Sequence, residues 1–486
     1  MPDQKSMRPT AIAAAASIVI VGGGLSGTLC ALHILAARPD LQVRIVERND
    51  RLGPGVAYGA CSDGHLLNVP VSRLDIRTSI SFEAWLTHKT SLHPDLAEAL
   101  GESGGQLGDA FVPRRLFGAY LEEQIEHLIA SNKLIWKRGE AIAFLDPPKR
   151  GVLLADGREI AAGAVILALG NLPPKSPVRD DSGLEDLGGF IPDPWATGAL
   201  AGIQASEPIL FVGTGLTMVD VALALNAQGH SGDMTATSRR GLLPTRHAFG
   251  GQWPPFLPSL LPMSPATLLR AVRRETEQAL RDGVPWQRVI DAIRPFVARI
   301  WRSWSRPERR SFLRHLRPRW DVVRHRMAPR IADVIDALVT EGRLNVVSGR
   351  LARYRQAGRE IAIDIVGKDG EQQTVHAHHV INCTGPRSDF GSVGTPLIVD
   401  ARRRKLIHPD ALGLGIETEN CAVVSAGGVP SNWLFAVGSL TRPAWWEITA
   451  APEITAQVLD LAASLTATPL ETSSLADRFQ DLGAGI

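Results

Sequence analysis

A glycine-rich segment near the start of the chain, Ile18–Gly27 (IVIVGGGLSG), sets the first expectation about the fold. Its apolar half is typical of a buried strand, and the next residues, Leu25–Ala37, have the apolar spacing of a helix. The glycines Gly22, Gly24 and Gly27 stand in G-x-G-x-x-G register. In this arrangement the first glycine allows a sharp turn and the second lets backbone N–H groups approach a pyrophosphate. The third allows the helix to pack closely on the sheet.

A second strand, Leu41–Val46, follows this helix and ends in Glu47, twenty residues after Gly27. A carboxylate at this spacing can accept hydrogen bonds from ribose hydroxyls, and the N-terminus of the helix favours an anion. The order of strand, turn, helix, strand and acid therefore predicts an adenine-dinucleotide site. The alternative is a structural turn in an α/β domain.

The same order returns in the middle of the chain. A short apolar strand, Pro208–Val212, leads into Gly213 and Gly215, and we expect a helix over Val221–Gln228. Met218 stands where the third glycine would be, so we expect this helix to lie slightly farther from its sheet. The chain thus contains a second nucleotide-binding pattern.

The strand that follows, Met234–Thr237, leads not to an acid but to two arginines, Arg239 and Arg240. An acid would repel a 2′-phosphate, whereas guanidinium groups pair with it bidentately. The second site is therefore predicted to bind NADPH rather than NADH, with a solvated basic turn as the alternative. Two dinucleotide units in one chain favour FAD at the first and NADPH at the second.

Composition narrows the class of protein. The 486 residues suffice for two or three domains, and 44% apolar residues, 21% charged residues and a net charge of +2 are ordinary for a globular protein. No run of about 18 apolar residues is present, so we expect no membrane span. The four cysteines lie far apart without a C-x-x-C motif, which argues against disulfides and favours the cytoplasm. A signal peptide over Lys5–Ala16 is the alternative, although the apolar run continues directly into the glycine motif.

The segment 270–330 contains seventeen arginines, six acids and no lysine, with four tryptophans interleaved. Its periodicity is helical, with Val289, Ile293, Phe296 and Ile300 on one face. Three interpretations remain open. The segment is a helical cap with a solvated basic face, a surface for an anionic substrate or partner, or a nucleic-acid interface, which no recognised nucleic-acid fold signature supports.

Glycine also ends three further apolar strands, where it lets the backbone pass close to a cofactor or simply ends a core strand: Ala164–Leu169 at Gly170, Val380–Thr384 at Gly385, and Trp433–Val437 at Gly438. After the last of these, a loop with Trp446 and Glu447 precedes a predicted helix, Ile448–Leu461. Residues 155–158 carry an Asp-Gly hairpin signal. His376 and His378, which precede the second of these strands together with His379, are expected on one face of the chain in a structural role rather than as metal ligands.

These motifs together resemble those of bacterial FAD/NAD(P)-binding oxidoreductases of the two-dinucleotide-binding flavoprotein class, distantly similar to flavin-containing and N-hydroxylating monooxygenases. The resemblance rests on GGGLSG, GPGVAYG with HLLNVPVSRLD, VGTGLTMVD with TSRRGLLP, INCTGP and FAVGSLTRPAWWEITAAPEI, which span nearly the whole chain. It implies an α/β fold of glutathione-reductase-like architecture, with two Rossmann-like dinucleotide-binding domains and a helical insertion. The implied domains are 14–205 and 376–486 for the two parts of the FAD domain, and 206–375 for the NADPH domain, with the insertion at about 250–335.

The same resemblance implies FAD and NADPH as cofactors, a small-molecule substrate and no metal. It places cofactor contacts at the two glycine turns, the ends of neighbouring strands and the C-terminal loop: Gly22, Gly24, Leu25, Ser26, Gly27, Glu47, Arg48, Asn68, Val69, Gly170, Gly213, Gly215, Leu216, Thr217, Arg239, Arg240, Gly385, Gly438, Trp446 and Glu447. Asn68 is the candidate catalytic residue, because related monooxygenases place a polar side chain beside flavin N5 and C4a. Ser439 departs from the pattern, since such flavoproteins usually carry Asp there to contact the ribityl chain.

Three functions agree with these features. In the first, NADPH reduces FAD, and the reduced flavin reacts with oxygen to oxygenate a small substrate. In the second, an NADPH-dependent dehydrogenase or reductase of the same fold passes electrons to a quinone, a protein or another acceptor. In the third, a flavin-binding redox sensor or scaffold binds an anionic partner through its arginine-rich segment.

Overall fold

The computed structural model describes residues 17–466 except 63, 90–93, 179–183, 185–186 and 258–261. The candidate signal segment and the polar tail after Thr466 lie outside the described residues. The strands are β1 (Ser17–Val21), β2 (Gln42–Glu47), β3 (Leu134–Arg138), β4 (Ala141–Phe144), β5 (Gly151–Leu154), β6 (Glu159–Ala161), β7 (Ala164–Leu167), β8 (Phe190–Ile191), β9 (Ile209–Val212), β10 (Met234–Ser238), β11 (Leu344–Ser348), β12 (Arg350–Ala357), β13 (Glu360–Val366), β14 (Gln372–Ala377), β15 (His379–Asn382), β16 (Thr418–Glu419), β17 (Ala422–Val424) and β18 (Pro430–Ala436).

The helices are α1 (Leu25–Ala37), α2 (Gly55–Gly59), α3 (Phe82–Lys89), α4 (Pro94–Glu102), α5 (Arg114–Ala130), α6 (Leu216–Ala227), α7 (Pro265–Arg281), α8 (Gln287–Ile293), α9 (Val297–Ser303), α10 (Arg306–His315), α11 (Arg317–Arg324), α12 (Pro329–Thr340), α13 (Pro396–Arg403) and α14 (Ala451–Thr466). Among the described residues, none of these helices combines the length and the apolar character needed to cross a membrane.

The first of two parallel sheets has seven strands in the order β16-β17-β18-β7-β1-β2-β3. Strands β18, β7, β1, β2 and β3 are parallel, while β17 and β16 form an antiparallel edge. Helices α1, α5 and α14 cover one face, and α13 with the small antiparallel sheet β4-β5-β6 covers the other. Val21 of β1 lies opposite Val46 of β2 and Leu167 of β7, so the chain leaves these three strands at one common edge.

The second parallel sheet has five strands in the order β11-β10-β9-β15-β8. Helices α6 and α12 pack on one face, and the antiparallel sheet β12-β13-β14 packs on the other. Because β8 and β15 belong to this sheet, the second unit extends beyond the predicted limits of 206 and 375 on both sides. Parallel pairing joins segments far apart in sequence, so these boundaries are not visible in local patterns.

Several predicted elements can be compared directly with the structure. Helix α1 has the predicted bounds, and the chain turns between β5 and β6 at Asp156 and Gly157 as the hairpin signal indicated. Helix α6 begins at Leu216 rather than at Val221, which puts the helix directly after the glycine turn. Helix α14 begins at Ala451 rather than at Ile448.

Helices α7 to α11 form the insertion, within the predicted range of about 250–335. Val289, Ile293, Phe296 and Ile300, which the sequence placed on one face, are all buried. The apolar core of the insertion also includes Trp446 from the first unit. The insertion therefore follows β10 of the second unit in the sequence, but it packs against the first unit.

Candidate functional site

A groove lies at the edge of the first sheet where β1, β2 and β7 end. Open α/β sheets bind ligands at this edge. Seven of the predicted cofactor residues line the groove: Gly22, Gly24, Leu25, Ser26, Glu47, Arg48 and Gly170. The glycine turn, the acidic end of β2 and the end of β7 therefore meet at one site.

The first glycine turn has the geometry that its motif predicts. Gly22 has a φ of +107°, which turns the chain out of β1. A Cβ on Gly27 would lie 1.9 Å from the carbonyl oxygen of Gly22, so a side chain there would force α1 away from the turn. Gly24 is the N-cap of α1 and supplies no side-chain cap, which leaves the first-turn N–H groups for an anion such as a pyrophosphate.

Glu47 is buried at the end of β2, and both of its carboxylate oxygens accept backbone N–H groups. Gly23 N donates to Oε2 at 2.7 Å, and Asn49 N donates to Oε1 at 2.8 Å. Each oxygen keeps a further lone pair, so the carboxylate can also accept a ribose hydroxyl. Spacing alone indicated the ribose contact, whereas the role of Glu47 in holding the glycine turn becomes visible only in the structure.

The C-terminal part of the chain closes the groove. Gly438 has a φ of +73°, and its N–H donates to Gln457 Oε1 at 2.8 Å. The next residue, Ser439, lines the groove and donates from Oγ to the carbonyl oxygen of Gly170 at 2.5 Å. The serine that stands in place of the expected aspartate thus ties the closing segment to the chain leaving β7.

The second glycine turn presents the N-terminus of α6. Gly213 turns the chain with a φ of +116°, and Gly215 is an exposed N-cap without a side-chain cap. Leu216 and Thr217 form the partly exposed first turn. Met218, at the position of the third glycine, is fully buried in the core of the second unit. The turn therefore offers a second helix N-terminus to an anion.

The two arginines after β10 have different surroundings. Arg239 is exposed. Arg240 donates from Nη1 to the carbonyl oxygen of His315 at 3.3 Å and from Nη2 to that of Arg314 at 3.4 Å, at the end of α10. A cation is favourable at the C-terminus of a helix. Arg239 is therefore the more available candidate for a 2′-phosphate, and Arg240 joins the second unit to the insertion.

The two predicted crossings between the units contact each other. Gly170 and Gly385 follow β7 and β15, and just beyond them Leu172 and Arg387 form an isolated antiparallel bridge. Asn382 is fully buried and donates from Nδ2 to a backbone carbonyl of the first crossing at 2.9 Å. These contacts fix where the chain passes from one unit to the other.

Arg114 and Asp220 form a further connection between the units. Arg114, at the start of α5, donates to both carboxylate oxygens of Asp220 on α6, at 2.9 and 3.2 Å. Ser62 N donates to His65 Nδ1, so Nε2 of His65 carries the proton and donates to the carbonyl oxygen of Asp220 at 2.8 Å. Burial lowers the pKa of His65, which favours this neutral tautomer. Sequence patterns alone did not identify these partners.

A second cavity of about 540 Å³ lies between the first unit, the loop 247–252 and the insertion. Asn68 and Val69, predicted as cofactor contacts, line this cavity and are absent from the lining of the groove. Small-molecule sites commonly occupy about 300–1,000 Å³. The candidate catalytic residue Asn68 therefore faces a space of substrate size.

Five arginines line this second cavity: Arg73, Arg288, Arg294, Arg324 and Arg326. Four of them come from the segment that the sequence singled out for its arginines, whereas Arg73 belongs to the first unit. The composition of segment 270–330 indicated a basic region, but it could not show which arginines turn inward.

Trp446 was predicted to contact a cofactor, yet its side chain packs into the insertion. Its ring stacks on Trp301 with a centroid distance of 4.8 Å, and Phe312 meets it edge-on. The guanidinium of Arg442 lies 4.8 Å from the ring centroid. These contacts bury the Trp446 ring in the core of the insertion, where it joins the C-terminal segment to the insertion instead of lining the groove.

Glu447 likewise has partners in the insertion rather than in the groove. Its Oε1 accepts Trp320 Nε1 at 2.8 Å, and its Oε2 lies 3.1 Å from Arg324 Nε. Burial opposes ionisation, but the charges of Arg324 and His325 hold the pKa of Glu447 below its usual range. The groove is lined instead by nearby residues of the same segment: Ile448, Thr449 and Ile454.

The three histidines from 376 to 379 pair with acids, and the cysteines that the structure describes remain free thiols rather than grouping around a common point. His376 and His378 both approach Glu360, at 3.4 and 3.8 Å, which confirms that they share a face, and His379 lies 2.9 Å from Glu207. All four cysteines are free thiols. Within the described part of the chain, no three His, Cys, Asp or Glu side chains come together as a metal site would require.

Residues 19–172 match the family model described as FAD-NAD(P)-binding, which confirms the cofactor class predicted for the first unit. An uncharacterised protein of Mycobacterium tuberculosis is 22% identical over 508 residues, covering 91% of this chain and 94% of the relative.

Two solved structures show the same overall fold. The FAD-bound cadaverine monooxygenase of Erwinia amylovora superimposes with a TM-score of 0.63 at 13% identity, covering 94% of this chain and 96% of that chain. The ornithine N-hydroxylase of Kutzneria sp. 744, solved with reduced FAD, NADP⁺ and L-ornithine, has a TM-score of 0.60 at 13% identity, with coverages of 93% and 98%. The predicted α/β fold with two dinucleotide-binding units is confirmed, as is the resemblance to N-hydroxylating monooxygenases at the level of fold.

Proposed function

We propose that this protein is an FAD-dependent NADPH oxidoreductase of the monooxygenase type that acts on a small molecule. The observation that carries the proposal is the position of segment 446–454 between the two cavities. Ile448, Thr449 and Ile454 of this segment line the groove. Glu447 and Glu453 of the same segment hold arginines that line the second cavity. A cofactor groove and a substrate-sized cavity thus share a wall.

The residues present fit the two cofactors. The uncapped N-terminus of α1 and the carboxylate of Glu47 suit a pyrophosphate and a ribose, as FAD requires. The uncapped N-terminus of α6 and the exposed Arg239 suit the pyrophosphate and 2′-phosphate of NADPH. FAD supplies the redox chemistry and the reaction with oxygen, while the protein binds, orients and excludes water.

Asn68 is proposed to act from the lining of the second cavity. Its amide can donate and accept hydrogen bonds, which suits a residue that positions the reacting groups of cofactor and substrate. The structural relatives support oxygen chemistry, because one is named as a cadaverine monooxygenase and the other as an ornithine N-hydroxylase.

The test is anaerobic reduction of the FAD-loaded protein by NADPH, followed by admission of oxygen, with flavin absorbance and hydrogen peroxide measured together. The proposal expects bleaching by NADPH and reoxidation by oxygen. It also expects Asn68→Ala to retain FAD but to release more hydrogen peroxide per NADPH than wild type. Asn345→Ala, an exposed position in β11 of the second sheet, is the matched control and should behave as wild type.

The other outcomes overturn the proposal in different ways. Reoxidation by an added quinone but not by oxygen would identify a reductase. No bleaching by NADPH would point to a flavin-binding sensor or scaffold. An unchanged peroxide yield in the Asn68 variant would remove Asn68 from the oxygen reaction.

A further inference from the structure

Five arginines line the second cavity, but among the described residues only three carboxylates contact them, those of Asp291, Glu447 and Glu453. Two of its arginines have their own carboxylates: Arg294 pairs with Glu453 at 2.6 and 3.0 Å, and Arg324 lies 3.1 Å from Glu447. The other two arginines of the insertion share a single carboxylate. The side chain of Asp291 contacts both Arg326 and Arg288, the latter at 3.2 Å, so one carboxylate serves two guanidinium groups.

Arg73 adds another cation to the same space. It ends a single 3₁₀ turn, Val71–Arg73, on the first-unit side of the cavity. Within the described residues its guanidinium forms no ion pair or side-chain hydrogen bond. Burial lowers the pKa of Arg73 to about 10, with Asp291 opposing this shift and Arg294 adding to it. Arg73 therefore stays charged at neutral pH.

Arg326 is a buried guanidinium with unused donors. Its relative exposure is 3%, and its Nε and Nη1 have no hydrogen-bond partner among the described residues. Leaving donors of a buried charged group unsatisfied is costly, so an anion in the cavity that Arg326 lines would stabilise its charge.

Among the described residues, the other titratable groups of the lining form no ion pair with these arginines. Burial and the charge of Arg326 lower the pKa of His247 to about 3, so its imidazole is neutral. Glu83 and Asp109 line the cavity from exposed positions on the first unit, where water screens them. Arg73, Arg288 and Arg326 thus face one carboxylate that is not exposed, that of the partly buried Asp291.

We propose that the second cavity binds a small anionic substrate whose carboxylate or phosphate group pairs with Arg73 and Arg326. This inference rests on the proposed function, which makes the cavity the substrate site. A guanidinium group presents a planar pair of N–H donors that matches the oxygens of either group bidentately. Asp291 holds Arg326 and Arg288 in position, and the cavity would disfavour an amine cation through like-charge repulsion.

The test measures binding without turnover, by titration calorimetry of the FAD-loaded protein with succinate, inorganic phosphate and the neutral isostere succinamide. Succinate or phosphate should bind and succinamide should not, and the better of the two anions distinguishes a carboxylate site from a phosphate site. Arg73→Gln should weaken anion binding by roughly tenfold or more, the scale of one charged hydrogen bond. Arg273→Gln, at an exposed position on α7, is the matched control and should leave binding unchanged.

Arg326→Gln provides a second variant, and thermal unfolding of each variant shows whether it is folded. The inference is overturned if neither anion binds more tightly than succinamide, or if the Arg73 and Arg273 variants bind equally well. It is also overturned if saturating NADP⁺ displaces the anion, because the arginines would then belong to the coenzyme site. Reduction of the flavin by NADPH is measured on the same samples. Normal reduction without anion binding refutes this inference alone, and anion binding without reduction refutes the proposed function alone.

Discussion

Replacing Glu47 with Gln tests whether this side chain stabilises the fold, binds the cofactor or does both. The carboxylate accepts Gly23 N at 2.7 Å and Asn49 N at 2.8 Å while buried. The glutamine amide has one oxygen, so it can accept one of these N–H groups and presents its own NH₂ to the other. Losing one hydrogen bond of a charged group costs about 1.5–3 kcal/mol. We therefore expect Glu47→Gln to destabilise the protein even without FAD.

The assay is thermal unfolding of the FAD-free protein, followed by titration with FAD. A unit of about 150–250 residues shifts its midpoint by about 2–4 °C per kcal/mol, so a fall of roughly 3–12 °C is expected. Glu140→Gln is the matched control, because Glu140 lines the same groove but, among the described residues, its carboxylate pairs only with the exposed Arg48, at 3.7 Å. Such a pair contributes about 0–1 kcal/mol. An unchanged midpoint for Glu47→Gln, with weaker FAD binding, would refute the structural role.

Two further predictions concern an ion pair between the two units and the coenzyme site of the second unit. Arg114→Met or Asp220→Leu alone should cost about 1.5–3 kcal/mol, the scale of hydrogen bonds to charged groups, because each leaves a partly buried charge without its partner, whereas the double variant should cost less. Unfolding measurements in a double-mutant cycle check this, and costs that simply add would contradict a coupled pair. Arg239→Ala should weaken NADPH by about 1.5–3 kcal/mol and leave NADH unchanged, whereas Arg240→Ala should mainly lower stability. Fluorescence titrations with both coenzymes decide this, and equal losses for NADPH and NADH would rule out a 2′-phosphate contact.

The sequence predicted those turns and helices whose geometry depends on residues that are close together in the chain. The G-x-G-x-x-G register located the turn at Gly22 and the helix Leu25–Ala37, because the required backbone geometry admits little else. The glycine after the strand Pro208–Val212 was recognised too, but the start of its helix was placed too late. The sequence assigned Leu216 to Asp220 to the loop, but these residues form the first turns of the helix and most of them are buried.

The contacts that complete the site are not local, and the sequence therefore could not assign them. Trp446 and Glu447 lie next to the groove in sequence, and only the docking of the insertion shows that they face away from it. Asn68 was predicted beside the flavin, and the structure places it on the second cavity. Arg73 lies within the motif HLLNVPVSRLD, but a single arginine there did not indicate a contact with an anion.

The insertion connects the two predicted cofactor sites through a continuous set of contacts. It leaves the second unit after β10, where Arg240 contacts the end of α10. Arg324 at the end of α11 meets Glu447, in the segment that lines the FAD groove on its other side. Separating the units would break these contacts and the Arg114–Asp220 pair together, and it would expose the apolar core that Trp446 shares with the insertion. We therefore expect NADPH to reach the flavin with the two units held in this arrangement, so that the substrate cavity stays formed during reduction.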